Sequence, residues 1–578
     1  MKMVRTFLSV CVSLSLAACV SVERRPAPVA TAPKADAKIF AVAANPLASE
    51  AGMAVLRRGG SAVDAAIAMQ AMLSLVEPQS SGIGGGAFMT FYDAKTKRVS
   101  VFDGRETAPA GATPDMFLDD SGQPLTYQVA VLSGRATGVL GAVKMLALAH
   151  DKYGILPWRD LFGDAERTAH DGFIVSPRLG RFLASGAFPE SNAPDVLSYF
   201  ARDGGGLLRA GDRLRNPAFA AFLARLSAQG PDALYKGETA RRIVAKVHEG
   251  ALPSTMTLAD LAAYRPIERE ALCGQYRVYL VCVPPPPSSG VGMLQLLMLL
   301  ERTDIATRNA TDPQAWFLFA EASRLMYADR DRYVGDSAFV SVPVRGLIDP
   351  AYVDTRAKLI GDRAGPPPVA GLPAGAPQVA RDRTLEPMGT SHFVVGDAQG
   401  NVVSMTTTVE SIFGTGRMVD GFFLNNQMTD FSFTPRDPDG KPAANAVAAG
   451  KRPRSSMTPL ILLDGERRFA GALGSAGGNS ILAYVGKAMV GAVDWGLPMQ
   501  DALALPNLVA RGGAFQGEVT KFSPAILGGL AAKGIDLRPG QGEDSGLQGV
   551  IVRGGVVDGG YDPRREGRFL IEAAPATR

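Results

Sequence analysis

The pattern of the sequence changes abruptly at position 390. Upstream, residues 361–380 are rich in Pro, Gly and Ala, a composition typical of an exposed loop. Downstream, Ser391–Val395 has the pattern of an extended segment, residues 396–401 that of a turn, and Val402–Val409 that of a β-branched strand. The sequence therefore predicts a β-hairpin that begins at Thr390, directly after a segment accessible enough to be cut.

Segments before this hairpin predict alternating helices and strands. Ser49–Arg58 and Ser61–Leu75 have helical periodicity, and Ala87–Tyr92 has that of a strand. Ser80–Gly86 is rich in glycine, but no Gly-Lys-Ser/Thr follows it, so close backbone packing explains it better than a phosphate loop. Residues 136 to about 357 are largely helical by period, which predicts a helical layer over a sheet.

A second glycine-rich turn lies nearer the C-terminus. Phe469–Leu473 has the pattern of a strand, Gly474–Gly478 that of a turn, and Ser480–Val493 that of a helix. A strand, a glycine turn and a helix N-terminus together can bind an anion.

The composition is that of a folded globular protein, with 46% apolar and 20% charged residues. Lys plus Arg (60) and Asp plus Glu (56) nearly balance, and long basic runs are missing, so the sequence shows no nucleic-acid footprint. The four histidines, His150, His170, His248 and His392, are far apart in sequence, which argues against a histidine-rich metal cluster. No Gly-x-Ser-x-Gly motif supports a Ser-His-Asp triad.

The N-terminus predicts export. Lys2 and Arg5 precede an apolar stretch, Phe7–Ala18, which is too short to span a bilayer and is typical of a signal peptide. The stretch ends in Leu-Ala-Ala-Cys19, the pattern of a bacterial lipobox; an ordinary signal peptide with a chance cysteine is the alternative. We expect residues 1–19 to direct export, residues 20–37 to form a flexible tether, and a lipid on Cys19 to anchor a periplasmic protein to the outer membrane.

Cys273 and Cys282 are the two cysteines outside the signal region. They flank Gly274–Arg277 in a predicted hairpin, where either a disulfide or two packed free thiols would fit. Two cysteines alone cannot build a disulfide scaffold or a thiolate metal site.

A hydroxyl nucleophile can also be activated without histidine. A threonine at the N-terminus of a chain can use its own α-amine, whose pKa is near neutral, as the general base. Thr390 could act in this way only if the chain were cut before it.

Several long blocks of sequence occur in one order along the chain. They are Glu77–Gly82, Gly104–Pro109, Pro285–Gly290, Ala328–Arg330, Gly389–Val395, Asn425–Phe431, Lys451–Pro453 with Ser455–Met457, and Gly474–Gly478. Together they resemble the γ-glutamyltransferase family of N-terminal-nucleophile hydrolases, and the resemblance extends from Lys38 to the C-terminus.

The resemblance implies an α/β fold, a four-layer αββα sandwich, formed by a precursor that cleaves itself. The Thr390 hydroxyl would attack the carbonyl of Gly389, giving a large subunit of residues 38–389 and a small subunit of residues 390–578 that share one core. The same hydroxyl would then form an acyl-enzyme with a γ-glutamyl amide, and water or an amino acceptor would take the acyl group. No metal and no organic cofactor is expected.

Three residues match the family positions that support the nucleophile. Thr408 matches the supporting hydroxyl, and the two-residue period of a strand puts Thr406 on its face and Thr407 on the other. Gly477 and Gly478 match the oxyanion hole, where peptide N–H groups can approach an intermediate only if no Cβ intrudes. A Thr-rich strand and a simple glycine turn would explain these residues without chemistry.

Five further residues match positions that bind the α-amino acid head of the donor. Arg105, Ser455 and Ser456 match the carboxylate site, because a guanidinium can hold a carboxylate bidentately. Gln427 and Asp430 match the residues that receive the α-ammonium group. Surface salt bridges are the alternative for Arg105 and Asp430.

The sequence departs from the family pattern at two places. Glu410 stands where the pattern has Asn, which adds a carboxylate to the ammonium site. The segment 433–447 is shorter than the longer lids of the family and contains no Tyr. We therefore expect a more open pocket, with the balance of transfer and hydrolysis undecided.

Three hypotheses follow. The first is an exported, lipid-anchored γ-glutamyl hydrolase or transpeptidase that acts on glutathione-like peptides, with no nucleic-acid partner and no membrane contact beyond the anchor. The second is a related acylase that cleaves glutaryl amides, including cephalosporin side chains. The third is an uncleaved envelope lipoprotein that uses the fold for binding.

Overall fold

The structure is a computed structural model, which describes residues 38–382, 384, 386–540 and 545–575. The predicted signal peptide and tether, including Cys19, lie outside the described residues. Within the described ranges, no helix is long and apolar enough to cross a membrane.

Two large antiparallel sheets contain the hairpin and most other strands. In chain order the strands are β1 (Lys38–Ala43), β2 (Gly86–Asp93), β3 (Arg98–Gly104), β4 (Phe173–Ile174), β5 (Arg213–Leu214), β6 (Ile267–Glu270), β7 (Leu272–Tyr276), β8 (Tyr279–Val283), β9 (Gly389–Gly396), β10 (Val402–Glu410), β11 (Met418–Val419), β12 (Phe422–Phe423), β13 (Leu460–Leu463), β14 (Phe469–Gly474), β15 (Leu508–Arg511), β16 (Ala514–Gly517), β17 (Arg538–Pro539), β18 (Gln548–Arg553), β19 (Val556–Tyr561) and β20 (Arg568–Ala573). The first sheet has the order β20-β1-β9-β10-β2-β3-β6, and the second has the order β19-β18-β14-β13-β8-β7.

Helices cover the outer face of each sheet. Those packed on the first sheet and its neighbours are Pro46–Arg57, Ala62–Val76, Ala142–Tyr153, Gly163–Asp171 and Pro217–Gln229. Those packed on the second sheet are Gly290–Glu301, Pro313–Tyr333, Ile481–Met489, Met499–Ala504 and Pro524–Ala532. The other described helices are Tyr127–Val131, Pro177–Ser185, Pro194–Tyr199, Asp232–Tyr235, Gly237–Val247, Leu258–Ala263, Val344–Leu347 and Pro350–Ala357.

Alternating side chains along the strands divide the core into three layers. Val395 packs against the helices of the first sheet, whereas its neighbour Val394 faces the second sheet. From the second sheet, Ile461 meets Val394, whereas Leu462 packs against the outer helices on its own side. The order helix, sheet, sheet, helix confirms the predicted four-layer αββα sandwich.

The predicted helices near the N-terminus are present, with shifted ends. The first is Pro46–Arg57 rather than Ser49–Arg58, because the Asn45 side chain accepts a hydrogen bond from the N–H of Leu47 and Pro fits the first turn. The second is Ala62–Val76, so its prediction was wrong by one residue at each end.

The predicted helix after the second glycine turn is shorter than expected. Its α-helical part is Ile481–Met489, and one wider π turn, Val490–Asp494, follows it. The strand before it, Phe469–Gly474, confirms the prediction for Phe469–Leu473.

The predicted cysteine hairpin consists of β7 and β8. Cys273 and Cys282 lie opposite each other in its register and form a disulfide, which decides between the two alternatives left by the sequence. The surrounding residues 136–357 contain most of the helices, as their periodicity predicts.

The glycine-rich segment Ser80–Gly86 packs closely against other backbone. A Cβ on Gly84 would collide with the carbonyl oxygen of Phe423, and one on Gly85 with that of Thr408. The interpretation as close packing rather than a phosphate loop is therefore confirmed. This contact fixes the end of β10, where the candidate site begins.

Candidate active site

The hairpin β9–β10 aligns the threonines of the candidate site. Thr390 lies opposite Thr408, and His392 lies opposite Thr406, in an antiparallel register. Thr408 and Thr406 therefore share the face of Thr390, as predicted. Thr407 lies opposite Ser391, whose hydroxyl donates to Glu77 Oε2 on the other face.

A chain of hydroxyl groups leads from Thr390 to the peptide bond that precedes it. The Thr390 hydroxyl donates to Thr408 Oγ1 at 3.1 Å, and the Thr408 hydroxyl donates to the carbonyl oxygen of Gly389 at 2.6 Å. The backbone N–H of Glu410 donates to Thr408 Oγ1 at 2.7 Å. Thr408 therefore polarises the carbonyl of the bond that is predicted to break.

The local backbone around this bond has little freedom. A Cβ on Gly389 would collide with the carbonyl oxygens of Glu410 and Ser411, so only glycine fits there. The register of β10 shifts between Thr408 and Glu410, and Glu410 adopts a left-handed φ of 84°. This bulge aims the Glu410 N–H at Thr408, at a conformational cost of about 1–2 kcal/mol for a residue other than glycine.

Most of the predicted site residues line one small cavity. Its lining includes Arg105, Glu386, Pro387, Thr390, Thr408, Glu410, Gln427, Asp430, Ser455, Ser456 and Gly478. The free volume is about 20 Å³, close to that of one water molecule, because the segment before Thr390 fills the cavity. Gly477 lines the adjoining cleft instead.

The two glycines of the predicted oxyanion hole adopt conformations that disfavour other residues. Gly477 has a φ of 132° and Gly478 a φ of 51°. A Cβ on Gly478 would collide with the carbonyl oxygens of Glu386 and Pro387. The segment before the scissile bond therefore lies directly on the turn.

Arg105 and Asp430 form a buried ion pair at one side of the cavity. Arg105 Nη2 donates to Asp430 and to the carbonyl oxygen of Arg454, and Nε donates to that of Pro453 at 3.1 Å. Arg105 is 1% exposed and Asp430 is 3% exposed, which excludes the alternative of a solvated surface salt bridge.

Three buried oxygens in the cavity receive no amide, guanidinium or alcohol hydrogen from the described part of the chain. They are Glu410 Oε1, Gln427 Oε1 and Asp430 Oδ1. Burial, and then the charge of Asp430, raise the pKa of Glu410 well above its usual value, and burial also raises the pKa of Asp430. A cluster of this kind requires protons or a cationic donor from outside the chain.

Ser456 belongs to a hydrogen-bonded group with Glu386, Arg330 and Arg454, three residues for which the sequence predicts no role at the site. Ser456 donates to Glu386 Oε2 at 2.5 Å, and Arg330 Nη2 donates to both Ser456 Oγ and Glu386 Oε1 at 2.5 Å. Arg454 Nε lies 3.3 Å from Glu386 Oε1. Burial opposes ionisation of Glu386, but Arg330 and Arg454 lower its pKa to about 2.

In the uncut chain, Ser455 takes part in hydrogen bonds that hold the local backbone. Its hydroxyl accepts the N–H of Met457 at 3.1 Å, and its carbonyl oxygen accepts the hydroxyl of Ser289 at 2.8 Å. Ser455 nevertheless lines the same cavity as Thr390.

His392 does not provide a base for Thr390. Burial lowers the pKa of His392 to about 3, so its ring is neutral at physiological pH. Its Nδ1 pairs with Thr406 Oγ1 at 2.9 Å, away from the Thr390 hydroxyl. Among the described residues, no cluster of three or more His, Cys, Asp or Glu side chains could hold a metal ion.

A larger cleft adjoins the scissile segment on its outer side. It has a volume of about 930 Å³, and its lining includes Glu386, Met388, Gly477 and Arg511. The cleft shares Glu386 and Pro387 with the small cavity around Thr390.

The segment 433–447 lies beside another cavity, of about 590 Å³. Phe433 stacks on Phe117 with ring centroids 4.5 Å apart, and Lys451 Nζ donates to the carbonyl oxygens of Ala444 and Ala446. These contacts fix both ends of the segment. Whether it leaves the donor pocket more open, as predicted, stays a prediction.

Comparisons with known proteins agree with this geometry. The family model described as Gamma-glutamyltranspeptidase matches residues 48–571. The chain is 38% identical to the glutathione hydrolase proenzyme of Bacillus subtilis (strain 168), over 80% of this chain and 79% of that protein. It is 35% identical to the Acylase ACY 1 proenzyme of Pseudomonas sp. (strain SE83), over 87% and 88%. The crystal structure of cephalosporin acylase from Bacillus halodurans matches with a TM-score of 0.80 at 26% identity, covering 95% of this chain and 99% of that one.

Proposed function

The chain belongs to the gamma-glutamyltranspeptidase family, and we propose that it is an exported enzyme that cleaves γ-glutamyl amides such as glutathione through an acyl-enzyme on Thr390. The observation that carries this proposal is the hydroxyl chain from Thr390 through Thr408 to the carbonyl oxygen of Gly389. The cavity around that chain is lined by residues suited to an α-amino acid head.

The first step is cleavage of the chain by its own threonine. Thr390 Oγ1 attacks the carbonyl carbon of Gly389 while Thr408 hydrogen-bonds the carbonyl oxygen. The Gly389–Thr390 C–N bond breaks, the hydroxyl proton passes to the departing amine, and an ester is left. Water hydrolyses this ester, which frees the carboxylate of Gly389 and the α-amine and hydroxyl of Thr390.

The second step is turnover. The free α-amine of Thr390, with a pKa near neutral, takes the proton of its own hydroxyl, which attacks the γ-carbonyl of the donor. The N–H groups at Gly477 and Gly478 stabilise the oxyanion once the precursor segment has left them. The amide C–N bond breaks as the α-ammonium returns the proton to the leaving amine, and water or an amino acceptor then takes the acyl group.

The donor's α-ammonium fits the three unsatisfied oxygens of Glu410, Gln427 and Asp430. An ammonium group has three hydrogens, and a buried site with ionised and neutral acceptors matches it. The donor's carboxylate would lie toward Ser455, Ser456 and Arg105, which line the same cavity.

A glutaryl acylase is the second candidate. Because the pKa values of Glu410 and Asp430 are raised, a proton can neutralise this pair in place of an ammonium group. A donor without an α-amine could then bind. The similarity to the acylase of Pseudomonas sp. (strain SE83) supports this alternative.

Export and a lipid anchor at Cys19 are part of the proposal and are supported by the N-terminal sequence. Mass spectrometry of the mature N-termini tests both processing events. It should find a lipidated Cys19 and a free Thr390; an unmodified Cys19 would contradict the anchor.

Self-cleavage is tested by a denaturing gel of wild type and Thr390→Ala. Wild type should give fragments of about 39 and about 20 kDa, and the variant one band of full length without turnover. Thr407→Val is the matched control, because Thr407 faces away from Thr390. An active Thr390→Ala variant would show another nucleophile, and an uncut wild type would favour the binding lipoprotein.

Comparison of γ-glutamyl and glutaryl anilides separates the two enzyme candidates. We expect faster turnover of the γ-glutamyl anilide, since it fills the ammonium site. Equal or faster turnover of the glutaryl anilide would favour the acylase.

A further inference from the structure

Glu386 places a carboxylate inside the candidate active site before the chain is cut. It precedes Thr390 by four residues, lines the same cavity and is 7% exposed. Its carboxylate receives hydrogen bonds from Arg330 and Ser456 at 2.5 Å, and Arg454 lies 3.3 Å away. Ser456 is also one of the hydroxyls expected to bind the donor's carboxylate.

The segment that contains Glu386 must leave before any donor can react. Its carbonyl oxygens, at Glu386 and Pro387, pack against Gly478 so closely that a Cβ there would collide with both. The cavity otherwise holds about 20 Å³, far too little for an acyl chain. Cleavage after Gly389 gives this segment a free end.

Departure of Glu386 would leave a buried positive charge without its partner. Arg330 and Arg454 are 1% and 0% exposed. Arg330 keeps Asp331, which also pairs with Arg511, and Arg454 keeps Asp382 at 3.0 Å. Three guanidiniums then face two carboxylates, and Arg454 Nη2 has no hydrogen-bond acceptor among the described residues. A buried charge in this state strongly favours a new anion.

Arg105 loses no partner when the segment leaves. It is already bonded to Asp430 and to the carbonyl oxygens of Pro453 and Arg454, and none of these contacts belongs to the departing segment. Arg330 and Arg454 are the guanidiniums that lose a partner when the segment leaves.

We propose that Arg330 and Arg454 join Arg105 and Ser456 in binding the donor's carboxylate, and that Glu386 occupies this position in the precursor. This inference rests on the proposed function and adds specificity residues to it. It requires an acyl group with a terminal carboxylate, which γ-glutamyl and glutaryl groups share.

The first test uses four anilides and the cleaved Arg454→Met variant. γ-Glutamyl and glutaryl anilides carry the carboxylate, whereas 4-aminobutyryl and butyryl anilides lack it. We expect KM to rise about 30-fold for the first two, and to change less than about threefold for the others. Where turnover is too slow to measure, calorimetry gives the affinity for the products instead. Arg454→Met should weaken binding of glutamate and glutarate, but not of 4-aminobutyrate.

Arg452→Met is the matched control. Arg452 is also buried, two residues away, but it pairs with Asp103 and contacts neither Glu386 nor Ser456. An equal loss for all four anilides, or no loss for any, would overturn the proposal. A wild type that cleaves neither γ-glutamyl nor glutaryl anilides would instead reject the proposed function.

The second test uses the uncut protein, so that it does not depend on folding of an Arg454 variant. Thr390→Ala should gain no thermal stability from propionate, because Glu386 fills the site. Thr390→Ala combined with Glu386→Ala should show a concentration-dependent rise in Tm with propionate and none with propionamide. A rise in both proteins, or in neither, would contradict the placeholder role of Glu386.

Discussion

Thr408 connects the proposed nucleophile, Thr390, with the bond that we expect it to attack. It accepts hydrogen bonds from the Thr390 hydroxyl and the Glu410 N–H, and its own hydrogen points to the carbonyl of Gly389. A valine there would keep the shape and β-propensity of the side chain and remove only the hydroxyl.

We therefore expect Thr408→Val to slow self-cleavage by about 10²–10³-fold, the usual effect of removing one donor from an oxyanion site. The appearance of the two fragments after synthesis in a cell-free system measures this rate. Thr407→Val should cleave at the wild-type rate, since its side chain faces the other way. Normal cleavage of Thr408→Val would show that the carbonyl is activated by other groups.

The carboxyl group of Glu410 lies where its charged form is disfavoured. Burial and the neighbouring Asp430 raise its pKa well above the usual 4.5. The folded, uncut chain therefore keeps a proton that the unfolded chain loses. Stability from this proton is complete below pH 4.5 and is lost as the pH rises toward the folded pKa.

Glu410→Gln should therefore stabilise the uncut Thr390→Ala protein at neutral and higher pH, but not near pH 4. The gain should grow by at most about 1.4 kcal/mol per pH unit between these limits. Glutamine can still accept the hydrogen bond from Asn426 and donate toward Asp430. Urea unfolding of both proteins from pH 4 to pH 8 measures the difference; a constant gap would contradict a raised pKa.

The same substitution should weaken binding of donors that have an α-ammonium group. We expect KM for the γ-glutamyl anilide to rise about tenfold, because one carboxylate of the ammonium site is lost. KM for the glutaryl anilide should stay within about threefold. Equal changes for both donors would remove Glu410 from the ammonium site.

At the residue level, the sequence predicts the catalytic and binding groups of the cavity better than its balance of charges. Thr390 and Asp430 lie in sequence blocks that resemble the family, and Thr408 matches a family position within the predicted strand Val402–Val409. Glu386 and Arg454 lie 68 positions apart, and their contact depends on how the segment before Thr390 folds back. Glu386 lies in a segment without helical or strand periodicity, so its partners can be identified only from the three-dimensional structure.

Elements were predictable where a period of two or 3.6 residues is sustained. The β9–β10 hairpin follows from alternating β-branched residues around the turn at 396–401, and its register follows from the short connection. Ends were less predictable because capping decides them: the Asn45 side chain moves the start of the first helix to Pro46. The π turn Val490–Asp494 follows an unbroken apolar pattern, so the sequence shows no reason to end the α-helix at Met489.

The β7–β8 hairpin contains a disulfide bond of its own. Its disulfide joins Cys273 and Cys282, which are nine positions apart, at the edge of the second sheet. Replacement of both cysteines by alanine should lower the free energy of unfolding by about 2–3 kcal/mol, from the entropy of a loop of this size. Activity should be unchanged at low temperature, because neither cysteine lines the cavity around Thr390.

Chemical denaturation with and without dithiothreitol measures this contribution. The reductant should lower the stability of wild type to that of the double variant, and should not affect the variant. Equal stability of wild type and variant without reductant would show that the bond adds nothing to the folded state.

In the whole molecule, strands from both sides of the cut pair in the same sheets, so one cut need not separate the two subunits. The first sheet contains strands from both sides of the cut, because β9 pairs with β1 and β10 pairs with β2. The second sheet does the same where β13 pairs with β8. The sequence predicts one shared core through its resemblance, but the interleaving of strands follows only from the topology.

We expect the two fragments to stay together after cleavage until the sheets themselves unfold. Backbone hydrogen bonds and the apolar layer between the sheets hold them, and neither is sensitive to salt as surface ion pairs are. Size-exclusion chromatography in 1 M NaCl should therefore give one peak that contains both fragments in equal amounts, whereas a denaturing gel of that peak shows two bands. Guanidinium unfolding should release both at one midpoint. Fragments that separate in salt alone would mean that Thr390 and the strands around it do not share the core of residues 38–389.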